Sequence, residues 1–424
     1  MEFARTRRTL LFILLFIGSV QLYAQVKPLS LSEYLSAALK NHPLLSSAEQ
    51  ARTSALYGSR AVQQAYYPQI GVASHFLTAP GYDEAVTNGG EIGVQINASY
   101  LLYDGGARSY EIQKAGIGVN AGSLNQDRTR ADVIFSVSTA FVAAVKEKRE
   151  LEVVEQDFDQ VRDYLQLVRQ LHAAGQGDEI DVLKTTVELN NVMIDVDARK
   201  TTYSNSLLSL AQAAGLPMVD VTDVDTAFQV PAYDTAFFAN GNIDLASQGL
   251  QLRQAELDAQ IVGAKLRPNI SIGADAGALT SLPNIRPGLP NVFGASLGLS
   301  VTFPLFTFGS IENAYRAAEA NAKSLSLQSD YARSALELDF ITTRNSVERA
   351  KSGIAALEHN LFAATQNLLL SKARYAGGSG LSLEVLDAIR MVNQIRLAIE
   401  EARYLQETGI VKLSRLNYSG VHQE

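Results

Sequence analysis

The sequence predicts a mainly α protein with a small membrane-type β part, built from one unit that occurs twice. Three observations carry this. Residues 91–103 alternate: Ile92, Val94, Ile96, Ala98, Tyr100 and Leu102 fall on one face, Gly93, Gln95, Asn97 and Ser99 on the other. Two stretches, 107–173 and 310–376, run without proline and repeat apolar residues at steps of three, four or seven. The same anchors then recur in the same order about 200 residues later.

The N-terminus comes first. Arg5, Arg7 and Arg8 precede an apolar run at 9–18 and a small-residue site at Leu22-Tyr23-Ala24, which reads as a secretory signal peptide over residues 1–24. That run is too short to span a bilayer, which takes about 20 apolar residues. The chain has no cysteine, which excludes disulfides, thiolate metal sites, thiol catalysis and a lipid-bearing N-terminal cysteine. A net charge of −8, with no basic stripe, argues against nucleic acid as a partner. An exported, cysteine-free chain suits the periplasm or the outer membrane.

The repeated anchors set the boundaries. Tyr67-Pro68-Gln69-Ile70 matches Arg267-Pro268-Asn269-Ile270, an offset of 200 (268 − 68). YLLYDGG at 100–106 matches FPLFTFG at 303–309, and Asp181-Val182-Leu183 matches Glu384-Val385-Leu386, an offset of 203 (384 − 181). The second hairpin loop is therefore three residues longer. The first repeat is assigned to 25–214, with strands 69–77 and 91–103 and a long helix 107–173. An acidic, proline-containing connector follows at 215–242. The second repeat spans 243–418, with strands 269–279 and 293–306 and a long helix 310–376, and the tail is 419–424. Each long helix, about 100 Å at 1.5 Å per residue, ends in a glycine turn and is followed by a return helix.

Within the first long helix, Val133, Val137, Ala140, Ala144, Leu151, Val154, Phe158, Val161, Leu165 and Val168 form the expected buried seam. The strands have the length to cross an outer membrane when tilted. Their second face holds Gly, Ser, Asn, Gln and Thr rather than the Lys and Glu of a solvent-facing sheet. A wet lumen on that side and lipid on the other fit this pattern. Four strands cannot close a barrel, and an open edge in lipid leaves backbone groups unpaired at several kcal/mol each. Two chains would supply eight strands with a filled interior, and three would supply twelve with room for a pore.

Candidate chemistry is sparse. His42, His75, His172, His359 and His422 are scattered without ligand spacing, and no phosphate-cradling glycine loop lies between a strand and a helix. No enzyme, metal site or cofactor is expected. Glu384 and Asp387 stand three apart at a helix start and share a face, where acids are also simply favoured by the helix dipole. The turns containing Gly175, Gly177, Gly378 and Gly380 read as helix connectors that need positive φ.

These residues together resemble the TolC-like outer-membrane efflux proteins. The resemblance is carried by LSEYLSAALKNHP at 31–43, the two proline entries into strands, LYDGG at 102–106 and GLSLEVLD at 380–387. It implies a homotrimer whose twelve-stranded barrel in outer-membrane lipid is continuous with a long α-helical periplasmic barrel. It further implies an exit duct for efflux or type I secretion that docks a periplasmic adaptor protein and an inner-membrane transporter. On the same resemblance, Glu384 and Asp387 are periplasmic gate candidates, and Gly175, Gly177, Gly378 and Gly380 are adaptor-docking tip candidates. Two departures stand out. Thr307-Phe308 replaces the Asp-Gly pair common in the family, and Gly378-Ser379-Gly380 replaces an Arg-containing run. A porin-like diffusion channel explains neither the long helices nor the glycine tips, and a periplasmic coiled-coil scaffold with soluble hairpins is the remaining rival.

Overall fold

The computed structural model describes residues 28–82, 90–218, 221, 223–227, 233–281 and 292–418. The expected signal peptide, residues 83–89 and 282–291 within the two expected hairpin loops, and the expected tail 419–424 lie outside them. Among the described residues the order is α1 (Leu31–Asn41), α2 (Pro43–Gln64), β1 (Gln69–Thr78), β2 (Gly90–Asp104), α3 (Ala107–Ala173) and α4 (Glu179–Ala214). The second half gives α5 (Ile243–Ala264), β3 (Asn269–Ser281), β4 (Phe293–Thr302), α6 (Ser310–Ala376) and α7 (Ser382–Leu416). Helices α3 and α6 have 67 residues each, an equality the duplication requires. No helix among the described residues is long and apolar enough to cross a membrane.

The chain divides into two compact units, and the unit boundaries fall within α1, α3, α6 and α7 and in the connector. The first comprises the described parts of Met1–Lys40, Ser136–Pro231 and Arg349–Thr408. Its core lies among α3, α4, α6 and α7: Val154, Val161, Tyr164 and Val168 meet Val192 and Val196, Ala364 and Leu368, and Val385, Leu386, Ile389 and Val392. Of the seam expected from the heptad spacing, Val133, Val137, Ala144, Val154, Val161, Leu165 and Val168 are buried and Ala140, Leu151 and Phe158 partly so, since small β-branched side chains let the helices approach closely. The first part of the connector is pinned to the same unit. Leu29 bridges Val224 in parallel, and Asp223 accepts hydrogen bonds from Lys148 Nζ at 2.8 Å and the Tyr203 hydroxyl at 2.6 Å.

The second unit comprises the described parts of Asn41–Phe135, Ala232–Glu348 and Gly409–Glu424 and contains all four strands. They form one antiparallel sheet in the order β1-β2-β3-β4, so both outer strands keep a bare edge. The register places Val72, Ile96, Ala276 and Ala295 abreast, and likewise Ile70, Ala98, Ala274 and Leu297. That face is apolar and uncovered: Val72 is 72% exposed, Ile96 55% and Leu297 76%. Gln95, Asn97, Ser99, Gly273, Asp275, Ser296 and Ser300 share the opposite face.

Three strand expectations need correction. The register steps between Leu101 and Tyr103, leaving Leu102 as a bulge, so Tyr103 rather than Leu102 stands opposite Ile270 on the apolar face. Strand β4 stops at Thr302 instead of 306, because Pro304 has no N–H to extend the ladder. Strand β3 continues to Ser281, past the expected 279.

At the foot of the sheet the two repeats solve one turn differently. Gly105 has φ 72°, and the Asp104 carboxylate caps α3 by accepting the N–H of Gly106 (3.1 Å) and Arg108 (2.7 Å). In the second repeat Phe308 takes the left-handed place of Gly105, with φ 53°, and is the one non-glycine residue with positive φ among the described residues. Its ring meets Phe306 edge-on at 4.3 Å, and both side chains are exposed.

Candidate functional site

Both glycine turns lie in the first unit and are built alike. At the end of α3, Gln176 N–H donates to Leu171 O (2.8 Å) and Gly175 N–H to His172 O (2.9 Å). At the end of α6, Ser379 N–H donates to Arg374 O (2.9 Å) and Gly378 N–H to Tyr375 O (3.0 Å). This is the Schellman arrangement, and Gly175 and Gly378 both hold φ 73° as it demands. Gly177 and Gly380 serve differently. A Cβ at Gly177 would come within 3.0 Å of His172 N, and one at Gly380 within 3.0 Å of Tyr375 N, so each turn folds tightly back on the helix it leaves.

Glu384 and Asp387 sit on the first turns of α7, both partly exposed, and each has an arginine beside it. Arg374 NH1 lies 3.7 Å from Glu384, and Arg390 NH1 lies 3.3 Å from Asp387. Arg390 also reaches across to α4, where its Nε and NH2 donate to the two oxygens of buried Glu188 at 2.8 and 2.5 Å. A bidentate guanidinium–carboxylate pair of this kind fixes orientation as well as charge. Asp387 is thereby tied through Arg390 to the neighbouring return helix.

Behind these acids the helices are joined by buried polar contacts. Tyr164 of α3 donates to Ser382 Oγ at 2.9 Å, and Tyr375 of α6 donates to Asp181 of α4 at 3.1 Å. The two rings stand 5.7 Å apart, edge to face. Burial, with Asp181 close by, pushes the Tyr375 hydroxyl up to about 12 and raises that of Tyr164 too, so both remain donors. Buried Asp157 of α3 accepts from Asn393 Nδ2 at 2.9 Å. Desolvation first, then the carboxylates of Glu188 and Asp195, lift its carboxyl to about 6, against a smaller opposing pull from Arg396 and Arg390.

Sequence reasoning finds Glu384, Asp387 and the glycines but misses Arg390, Glu188, Tyr375 and Asp157. Arg390 carried a usable signal, standing one helical turn after Asp387. Glu188 lies 202 residues from Arg390, and nothing local announces the pair. Asp181, the counterpart of Glu384 in the first repeat, receives the Tyr375 hydroxyl, and Asp178 caps α4 through Ile180 N–H.

An amphipathic sheet with two bare edges, on a chain of long paired helices with glycine-turned ends, defines a channel-forming protein of the outer membrane. The profile of the family described as outer membrane efflux protein matches residues 34–216 and 239–417, and the chain belongs to that family. It is an outer-membrane exit channel for efflux. Outer membrane protein TolC of Vibrio cholerae is 22% identical over 399 residues, covering 91% of this chain and 89% of that protein. The pyoverdine export outer membrane protein OpmQ of Pseudomonas aeruginosa is 21% identical over 335 residues, covering 75% and 68%. The crystal structure of the outer membrane protein VceC of Vibrio cholerae superimposes with a TM-score of 0.77 at 17% identity, over 91% of this chain and 96% of that one. The CmeC outer membrane channel of Campylobacter jejuni gives 0.78 at 15%, over 93% and 86%.

Proposed function

We propose that three copies of this chain close one twelve-stranded barrel and that the trimer is the exit duct of a tripartite efflux pump or type I secretion system. The observation that carries this is the sheet: four strands, an uncovered apolar face and two unpaired edges. In lipid those edges must be paired, and pairing β1 of one chain with β4 of the next does so for any closed ring. Three chains give the smallest ring with space for a pore. The turns at Gly175–Gly177 and Gly378–Gly380 are the docking tips for a periplasmic adaptor, which links the duct to an inner-membrane transporter. Their compactness supports this reading, since a rigid, low-profile turn presents backbone to a partner without obstructing side chains. The transporter chooses the cargo.

Glu384 and Asp387 line the resting constriction, where threefold symmetry brings six carboxylates together. Arg374 and Arg390 temper their repulsion, so the closed ring is stable without all six charges facing one another. Two experiments test the proposal. The mature protein, starting near Gln25, is expected as a detergent-dependent trimer in the outer-membrane fraction; a soluble monomer would end the duct reading. In planar bilayers, Glu384→Gln/Asp387→Asn is expected to weaken divalent-cation block of the trimer. Acids that serve only the helix dipole predict a stability loss of about 0.3–1 kcal/mol each and unaltered block.

A further inference from the structure

The polar face of the sheet is nearly free of charge, and the charge it has is of one sign. The four strands contain no Lys or Arg and three acids: Glu91, Asp104 and Asp275. Asp104 is consumed by the α3 cap, and Glu91 stands 3.5 Å from His75 Nε2 at the hairpin end. Asp275 remains. It sits midway along β3, abreast of Asn97 and Ser296, and its Oδ2 accepts the Ser296 hydroxyl at 3.2 Å. Among the described residues no cation pairs with it.

The surface beside Asp275 is hollowed. Gly277 and Gly294 face each other across β3 and β4, opposite Gln95, and the missing side chains leave a niche of about 240 Å³ lined also by Asp275 and Ser296. The two glycines differ in constraint. A Cβ on Gly277 would run into the Val94 carbonyl oxygen, whereas one on Gly294 would meet nothing within 4 Å. Packing therefore demands the first glycine but not the second.

We propose that Asp275 is a selectivity-determining residue of the barrel, drawing small cations and the cationic ends of cargo through its middle. The inference rests on the trimeric duct reading, in which the polar face lines the lumen. Threefold symmetry then sets three carboxylates at one height, facing water and one another across the pore. A ring of acids without counter-ions concentrates cations and repels anions, as in acid-ringed cation channels. Screening limits the effect to about 10 Å at 0.1 M salt, so it acts locally, at the level of Asp275.

The full-length trimer in planar bilayers under a potassium chloride gradient tests this by its reversal potential. Asp275→Asn is expected to lower the potassium-over-chloride permeability ratio at least about twofold, and Asp275→Glu to keep it. Because the chain has no cysteine, Asp275→Cys also gives a single target for a water-soluble cationic thiosulfonate reagent. Reaction within the open channel, with a further shift toward anions, is the supporting result. If the cysteine reacts but Asp275→Asn leaves the ratio unchanged, Asp275 faces the lumen without selecting, and the inference is overturned while the duct stands. If the cysteine is inert and Ala276→Cys reacts instead, the assignment of faces is wrong and both readings fall.

Discussion

Adjacent residues of β2 provide the sharpest test of which side of the sheet meets lipid. Ile96 is the seventh of the fifteen residues of β2, between Val72 and Ala276, and more than half of its surface is uncovered. Placing Arg there sets a cation near the middle of the hydrocarbon layer, at a cost of about 2–4 kcal/mol per chain and so about 6–12 kcal/mol for the proposed trimer. Gln95 is its neighbour and points the other way, toward Gly277 and the niche beside it, where an arginine finds room and water. Ile96→Arg is therefore expected to abolish heat-sensitive trimer bands from purified outer membranes, and Gln95→Arg to leave them near wild-type yield. Equal loss from both would show that the polar face is packed rather than wet. Loss from Gln95→Arg alone would reverse the facing, and equal survival would remove the membrane from the argument altogether.

Three further outcomes follow from the helices and the turn. Arg390→Met strands the buried Glu188 carboxylate and is expected to cost about 2–4 kcal/mol in thermal or denaturant unfolding, while Arg390→Met/Glu188→Met recovers much of it; a double variant as unstable as the single one would deny the pair. Asp157 gives a pH dependence of definite sign. With its folded value at about 6 against an ordinary 3.8, folded protein holds a proton that unfolded chain has lost between those limits, so stability falls as pH rises through that window. Asp157→Asn should thus gain on wild type between pH 4 and 6, by at most about 3 kcal/mol, and hold that advantage above; a gain confined to acid pH would refute it. Phe308→Gly should exceed Phe308→Ala in stability by about 1 kcal/mol, because only glycine relieves the left-handed backbone, and equal melting of the two would count against strain there.

Periodic features were legible in the sequence. The strand ends and glycine turns that bracket the heptad-spaced runs delimit α3 and α6 to the residue, and strict alternation identifies all four strands, because both patterns record a face that recurs at every turn or every second residue. Single-residue events were not. Nothing in LLYD at 101–104 marks Leu102 as the bulge, since an added apolar residue leaves the composition of the strand unchanged. The repeat match set Phe308 opposite Gly105, but its side chain argued against the left-handed backbone it keeps there. The site divided in the same way. Glycines and acids at helix ends announce themselves by local chemistry, whereas the Arg390–Glu188, Tyr375–Asp181 and Tyr164–Ser382 contacts join residues about 200 positions apart and exist only once the two repeats fold together.

The two bare edges of the sheet also have a genetic consequence. In the proposed trimer a chain that cannot finish its own sheet shares the fate of the two it meets, so a defective copy does not merely fail but spoils its companions. In a cell making equal amounts of wild-type and Ile96→Arg chains, random assortment would leave only about one-eighth of the barrels free of mutant strands. Such alleles should therefore be dominant. A loss of function confined to the tips or to the α7 acids, which leaves strand pairing intact, would instead be diluted among working channels.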